Sequence, residues 1–178
     1  MKPSHSAMVL DPDALAAHLL DGGAAVIPTD TVPGLAILPV RAGDIWQLKR
    51  RPQDKPLILM GTSVEALLSH ARSACRDDAV AMAQKYWPGA LTLVVPAEGQ
   101  TLASLNPHGT FLGLRIPNCR LSRDLLSRTG PLATSSANPS GQPAAMTPED
   151  AAVYFPEIPQ LGPQPWSPHS GQASTVIR

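Results

Sequence analysis

Lys49, Arg50, Arg51 and Lys55 place four of the chain's fourteen basic residues in one short run, and only Asp54 offsets them. Such a knot repels itself unless something negative sits beside it. A phosphate-bearing ligand suits it, because lysine supplies a point charge and arginine a planar two-pronged donor. Lys49 and Arg51 are two apart, so both can face one pocket if the chain leaves a helix at Pro52, with Lys55 just beyond. The plainer account is a set of cations at a helix C-terminus, where the helix dipole favours them.

Three more polar groups have the same double character. Ser136 and Asn138, again two apart, follow an apolar run. A hydroxyl and an amide there can hold a phosphate, a ribose or a carboxylate, or can close a turn on its own backbone. Thr29, Asp30 and Thr31 precede Gly34 and form either a tight turn or the polar wall of a pocket. Arg115 interrupts the apolar run Phe111–Ile116. Alternation puts Leu112 and Leu114 on one face and Arg115 with Phe111 and Gly113 on the other. Arg115 then binds a carboxylate ligand or forms a structural ion pair.

Several familiar chemistries are absent. There is no GxxxxGK[ST] phosphate loop, no GxGxxG, no HExxH and no GxSxG. His5, His18, His70, His108 and His169 are scattered, and none has metal-ligand spacing to another His or a Cys, so no protein-held metal is expected. No Ser/His/Asp set can be singled out.

The elements that must position these groups can be outlined from pattern. Asp11-Pro12 starts a helix that Gly22-Gly23 stops. Strands are expected at 24–27, 35–40, 57–60, 91–95, 111–116, 132–135 and 174–177, and helices at 42–50, 63–72, 77–86, 121–128 and 148–155. Two helices fall between the third and fourth strands, and none between the fourth and fifth. The expected fold is therefore α/β, a twisted mixed sheet with flanking helices. Ligands in such folds sit at strand ends, where the polar motifs lie.

The 178 residues fit one domain, with a flexible start over 1–10 and a proline-rich loop over 156–173. Aromatics make up 4% of the chain, so the core must come from Ala, Leu, Val and Ile. Net charge is zero, which argues against wrapping a long polyanion, though not against a local nucleic-acid groove. Cys75 and Cys119 have no CxxC spacing, no hydrophobic leader opens the chain, and no apolar run reaches membrane-span length. A cytoplasmic protein with free thiols and no membrane association is expected.

Taken together and in order, the motifs resemble the YrdC family. The matching runs are Pro28–Leu35, Leu48–Leu57, Trp87–Thr92, Leu114–Pro117, Ser136–Gly141 and Ser174–Ile177, spread over roughly residues 11 to 177. The resemblance implies a YrdC-like fold with a concave basic cavity. It implies synthesis of threonylcarbamoyl-AMP from L-threonine, bicarbonate and ATP with Mg²⁺, releasing pyrophosphate. That nucleotidyltransferase product feeds the t6A modification of tRNA through a downstream threonylcarbamoyl-transferase complex. By position, Thr31 and Arg115, with Thr134 as a further candidate, fall on the threonine side. Lys49, Arg51, Lys55, Ser136 and Asn138 fall on the ATP side, with Lys49 and Arg51 the catalytic cations.

Two departures from the family pattern stand out. Pro33 replaces a usual tyrosine, which stiffens the turn and removes a ring from the cavity wall. Arg178 follows Ile177 where the family usually continues into an acidic residue and a Leu-Arg-x-Gly segment. The expectation is a short, single-domain member in which that later nucleotide contact is missing or the form is truncated. The competing expectation is a non-catalytic double-stranded RNA-binding or ribosome-maturation factor using the same cavity, which the scarcity of aromatics for base stacking weakens. A carbamoyl-transfer module of hydrogenase maturation would need further domains.

Overall fold

The computed structural model describes residues 7–178. The elements run β1 (Val9–Leu10), α1 (Pro12–Leu20), β2 (Ala25–Ile27), β3 (Gly34–Ile37), a 3₁₀ turn at Pro39–Arg41, α2 (Gly43–Lys49), β4 (Ile58–Met60), α3 (Val64–Leu68), α4 (Ser73–Tyr86), β5 (Leu91–Pro96), α5 (Gln100–Leu105), β6 (Phe111–Arg115), α6 (Arg120–Thr129), β7 (Leu132–Ser136), α7 (Pro148–Tyr154), β8 (Gln160–Leu161) and β9 (Thr175–Ile177). All strands join one sheet, ordered β1-β8-β2-β3-β7-β4-β6-β5-β9. It is mixed as expected: β4 and β6 pair parallel, while β3 with β7, β4 with β7 and β5 with β6 pair antiparallel.

Local chemistry starts the helices where the sequence indicates. Asp11 accepts from the Ala14 N–H at 2.8 Å and Ser63 from the Ala66 N–H at 3.1 Å. Thr147 and Asp150 form a reciprocal capping box ahead of α7. On one face of the sheet, Leu15 and Leu19 of α1 pack with Leu125 and Leu126 of α6. Each fully buried leucine stabilises by about 1.5–3 kcal/mol. A larger cluster joins Ile45 and Trp46 of α2 to Leu67 and Leu68 of α3, Ala79 and Ala83 of α4 and the strands β4 to β6. Among the described residues no helix is long and apolar enough to cross a membrane.

Four expectations change. The stretch 91–116 holds a helix, α5, between its two strands. It is only six residues long and carries one apolar pair, Leu102 and Leu105, so its periodicity is thin. The expected helix over 63–72 stops short, with α3 ending at Leu68, and the one expected over 77–86 starts earlier, with α4 beginning at Ser73. The expected strand over 35–40 ends at Ile37 and gives way to the 3₁₀ turn. Finally, Val9–Leu10 from the start and Gln160–Leu161 from the proline-rich loop pair with each other as β1 and β8. Two-residue strands have no readable alternation, and each exists through a partner far away in the chain. Residues 1–6, the rest of the expected flexible start, lie outside the described residues.

Candidate active site

Lys49 is the last residue of α2, and Arg50 caps that helix with φ 50° in the left-handed region. A non-glycine residue there costs about 1–2 kcal/mol. Lys49 shares the buried face of α2 with Ile45 and Trp46, and the reversal brings Arg51 back along the helix end, where its N–H donates to Trp46 O at 2.8 Å. The loop is tied down by two donors to Lys55 O, the Trp46 indole at 3.0 Å and Arg51 Nε at 3.4 Å. Arg51 Nη2 also donates to Pro56 O at 3.2 Å.

Lys49 is 1% exposed, a fully buried ammonium. Its Nζ donates to the Ser136 carbonyl oxygen and, at 3.3 Å, to Ser136 Oγ. The Ser140 N–H donates in turn to Lys49 O at 2.7 Å. Thus the two motifs with paired residues, far apart in sequence, are laced together. Burial, aided by the neighbouring Arg51 charge, pushes the Lys49 pKa down to about 7. Burial also lowers the Arg51 pKa from its ordinary value, with Asp54 opposing.

Arg115 closes the other side. Its Nη2 meets Asp30 Oδ1 at 2.5 Å, its Nη1 donates to Thr31 Oγ1 at 2.9 Å and its Nε donates to Gly89 O at 3.2 Å. Asp30 also accepts from the Asn118 N–H at 3.1 Å. Burial lowers the Arg115 pKa, and the Asp30 charge and hydrogen bond oppose that. The structural ion pair is present, and the same arginine also lines a cavity.

That cavity, of about 250 Å³, is where the expected residues converge: Thr31, Arg51, Arg115, Thr134 and Ser136 all line it. Thr134 Oγ1 also donates to Ile58 O at 3.1 Å across the strands. Lys49 stands behind Ser136 and does not line the cavity. Two expected residues are not brought in. Lys55 is exposed and outside the lining. Asn138 turns its amide nitrogen onto its own loop, to Pro139 O at 3.0 Å and Gln142 O at 2.8 Å, while its Oδ1 is buried with no partner among the described residues. Pro33 does form part of the wall.

Sequence reasoning missed part of the lining. Ile58 and Met60 share one face of β4 and supply apolar floor. Ala173, Ser174 and Val176 supply a wall from the last segment. That segment reaches the site because Ser170 N–H donates to Asp30 O at 3.1 Å, Gly171 N–H donates to Thr31 O at 2.9 Å, and Ser174 Oγ meets Thr92 Oγ1 at 2.8 Å. Period-two alternation in β4 was the one available signal for Ile58 and Met60. Residues 174–177 are marked in the sequence as a strand and a matching run, and nothing local marks residues 170–173. A larger hollow of about 390 Å³, lined by Asp30, Cys119, Arg120 and Trp166 among others, shares only Thr29 with this cavity and lacks the Lys49, Arg51 and Ser136 set.

A family model for Sua5/YciO/YrdC proteins, described as "Telomere recombination", matches residues 17–178. The chain belongs to the Sua5/YciO/YrdC family. The threonylcarbamoyl-AMP synthase of Stutzerimonas stutzeri (strain A1501) is 32% identical over 142 residues, spanning 76% of this chain and 75% of that protein. The human threonylcarbamoyl-AMP synthase is 30% identical over 176 residues, spanning 92% of this chain and 61% of that protein. The crystal structure of P. abyssi Sua5 complexed with L-threonine superposes with a TM-score of 0.87 at 26% identity, covering 96% of this chain. This chain spans about half of that Sua5 chain, 53% of its length. The YrdC-like fold expected from the motifs is thus the fold of the family.

Proposed function

We infer that this chain is a threonylcarbamoyl-AMP synthase, which joins L-threonine, bicarbonate and the AMP part of ATP and releases pyrophosphate. The observation that carries this reading is the single cavity shared by Thr31 and Arg115 on one side and Arg51 and Ser136 on the other, with Lys49 buried behind. The naming of its relatives as threonylcarbamoyl-AMP synthases supports it.

The chemistry suits the residue types. Threonine carbamate carries two negative charges and must attack an α-phosphorus that is itself wrapped in negative oxygens. Its carbamate oxygen forms the new P–O bond as the bond to pyrophosphate breaks, so no protein nucleophile is required. The demands on the protein are positioning and charge neutralisation. Arg115 retains two uncommitted N–H groups for the threonine carboxylate, since a guanidinium has five and three are placed. Arg51 and the Lys49–Ser136 pair lie where phosphate charge would develop. Mg²⁺ enters with the nucleotide: the cavity lining contains no carboxylate. The ion's ligands would come from phosphate oxygens and water, and it would supply positive charge beyond that of the lining residues.

The product, a mixed anhydride, would pass to a downstream threonylcarbamoyl-transferase complex acting on tRNA, in a cytoplasm that keeps Cys75 and Cys119 as the free thiols found here. The RNA-binding alternative is not favoured, because the relatives this chain matches are named threonylcarbamoyl-AMP synthases. The test is pyrophosphate release from ATP and Mg²⁺, with L-threonine and bicarbonate each supplied and withheld. Release that needs both is the expected result. A folded protein that binds ATP and releases nothing overturns the reading.

A further inference from the structure

The turn between β2 and β3 contains a hydroxyl chain whose direction can be worked out. A threonine hydroxyl has one hydrogen to give and two lone pairs to receive. Thr29 Oγ1 donates its hydrogen to Val32 O at 2.7 Å. Its other contacts must then be accepted ones, from the Thr31 N–H at 3.0 Å and from Thr31 Oγ1 at 3.0 Å. That makes Thr31 the donor of the hydroxyl pair and uses its one hydrogen. Arg115 Nη1, which can only donate, occupies one Thr31 lone pair at 2.9 Å. One lone pair of Thr31 Oγ1 remains, in a residue that lines the cavity. Thr29 and Thr31 are 4% and 2% exposed, so bulk water does not randomise this order.

We propose that Thr29 is a positioning residue that holds the Thr31 hydroxyl as an obligatory acceptor, so that the amino-acid subsite demands an N–H on the substrate's α-nitrogen. The proposal rests on the synthase reading above. Its geometric logic is short. Thr31 sits directly on the guanidinium that takes the carboxylate, and the α-nitrogen is the polar atom closest in bonding to that carboxylate. The nitrogen keeps one hydrogen after it has become a carbamate, so the contact persists from free threonine through the adenylation step.

The experiment measures pyrophosphate release with L-threonine and with N-methyl-L-threonine, whose carbamate has no N–H. It uses the wild type, Thr29→Val, Thr29→Ser and Thr31→Val. One hydrogen bond is worth about 0.5–1.5 kcal/mol, or roughly three- to tenfold. In Thr29→Val the KM for L-threonine rises by roughly that factor while the KM for ATP stays put, and the preference for L-threonine over its N-methyl analogue shrinks equally. Thr29→Ser restores both. Thr31→Val, which removes the acceptor itself and leaves Thr29 in place, also loses the preference, and keeps the test decisive if the valine at 29 upsets the turn. An unchanged N-methyl preference in Thr31→Val, or in a folded Thr29→Val, overturns the proposal, because the discrimination is then steric. A parallel rise of both KM values that serine does not rescue overturns it as well, as a loss of fold. Wild-type protein with no threonine-dependent release sinks the synthase reading and this inference with it.

Discussion

The two ends of the cavity are built on opposite principles. At the end proposed for threonine the polar groups are tied to one another within the protein. Arg115 has its carboxylate, Asp30 has two donors, and the Thr29–Thr31 hydroxyls are ordered. At the end proposed for the nucleotide the cations have no carboxylate within ion-pair distance among the described residues, and only the Asp54 charge acts on Arg51 from further away. Among the described residues the ion pairs include Arg115 with Asp30 but neither Lys49 nor Arg51, whose partners are carbonyl and hydroxyl oxygens. Lys49 is buried at the cost of a much lowered pKa. The difference teaches which end is preorganised and which is left incomplete. A rigid, closed network suits a small amino acid that must be recognised atom by atom. Unpaired cations suit a polyanion that brings its own charge.

Breaking the closed end has the largest effect. Arg115→Ala strands Asp30 beside a cavity and is expected to cost about 3–5 kcal/mol of stability, as removal of one partner from a buried pair does. Urea unfolding measures that loss, and pyrophosphate release is abolished in the same variant. If stability is unchanged, the pair is not the strut described here.

Breaking the open end separates activity from stability. Arg51→Ala removes a cation whose partners are two loop carbonyls, so unfolding shifts little. Pyrophosphate release falls by about 10²–10³-fold, the scale of losing one preorganised donor to a developing charge. Wild-type turnover in this variant would count heavily against the proposed mechanism.

Lys49 sharpens the contrast through pH. Its pKa falls from 10.5 to about 7 on folding, so between those values the unfolded chain binds the extra proton. Stability from this group therefore rises across that window and carries the full cost of a buried charge below it. Lys49→Met is expected to be more stable than wild type at acid pH, with the advantage fading toward pH 10.5, while activity is lost. A triphosphate beside the ammonium would raise its pKa. ATP binding above pH 7 should then take up protons, which calorimetry in buffers of differing ionisation enthalpy detects. The smallest effect is expected of Lys55→Ala, within about 0.5 kcal/mol in stability for an exposed residue, with only a few-fold change in the KM for ATP.

Much of this contrast was legible in the chain before folding was considered. The residue types and spacings at Lys49/Arg51, Thr29–Thr31, Arg115 and Ser136/Asn138 marked both ends of the site. The caps at Asp11, Ser63 and Thr147 marked three helix starts. These features depend on neighbours within three or four residues, and there the sequence by itself decides. The rest waited for tertiary structure. Whether Arg115 served a ligand or an ion pair depended on Asp30, 85 residues away. Whether Lys49 was a surface cation or a buried one depended on Ser136, 87 residues away. β1 exists only through β8, β8 is held between β1 and β2, and the wall from Ala173 to Val176 is brought in by backbone bonds from Ser170 and Gly171 to the Asp30–Thr31 turn. Burial and partner choice arise when distant segments close on one another, and no local spacing records which segments those will be.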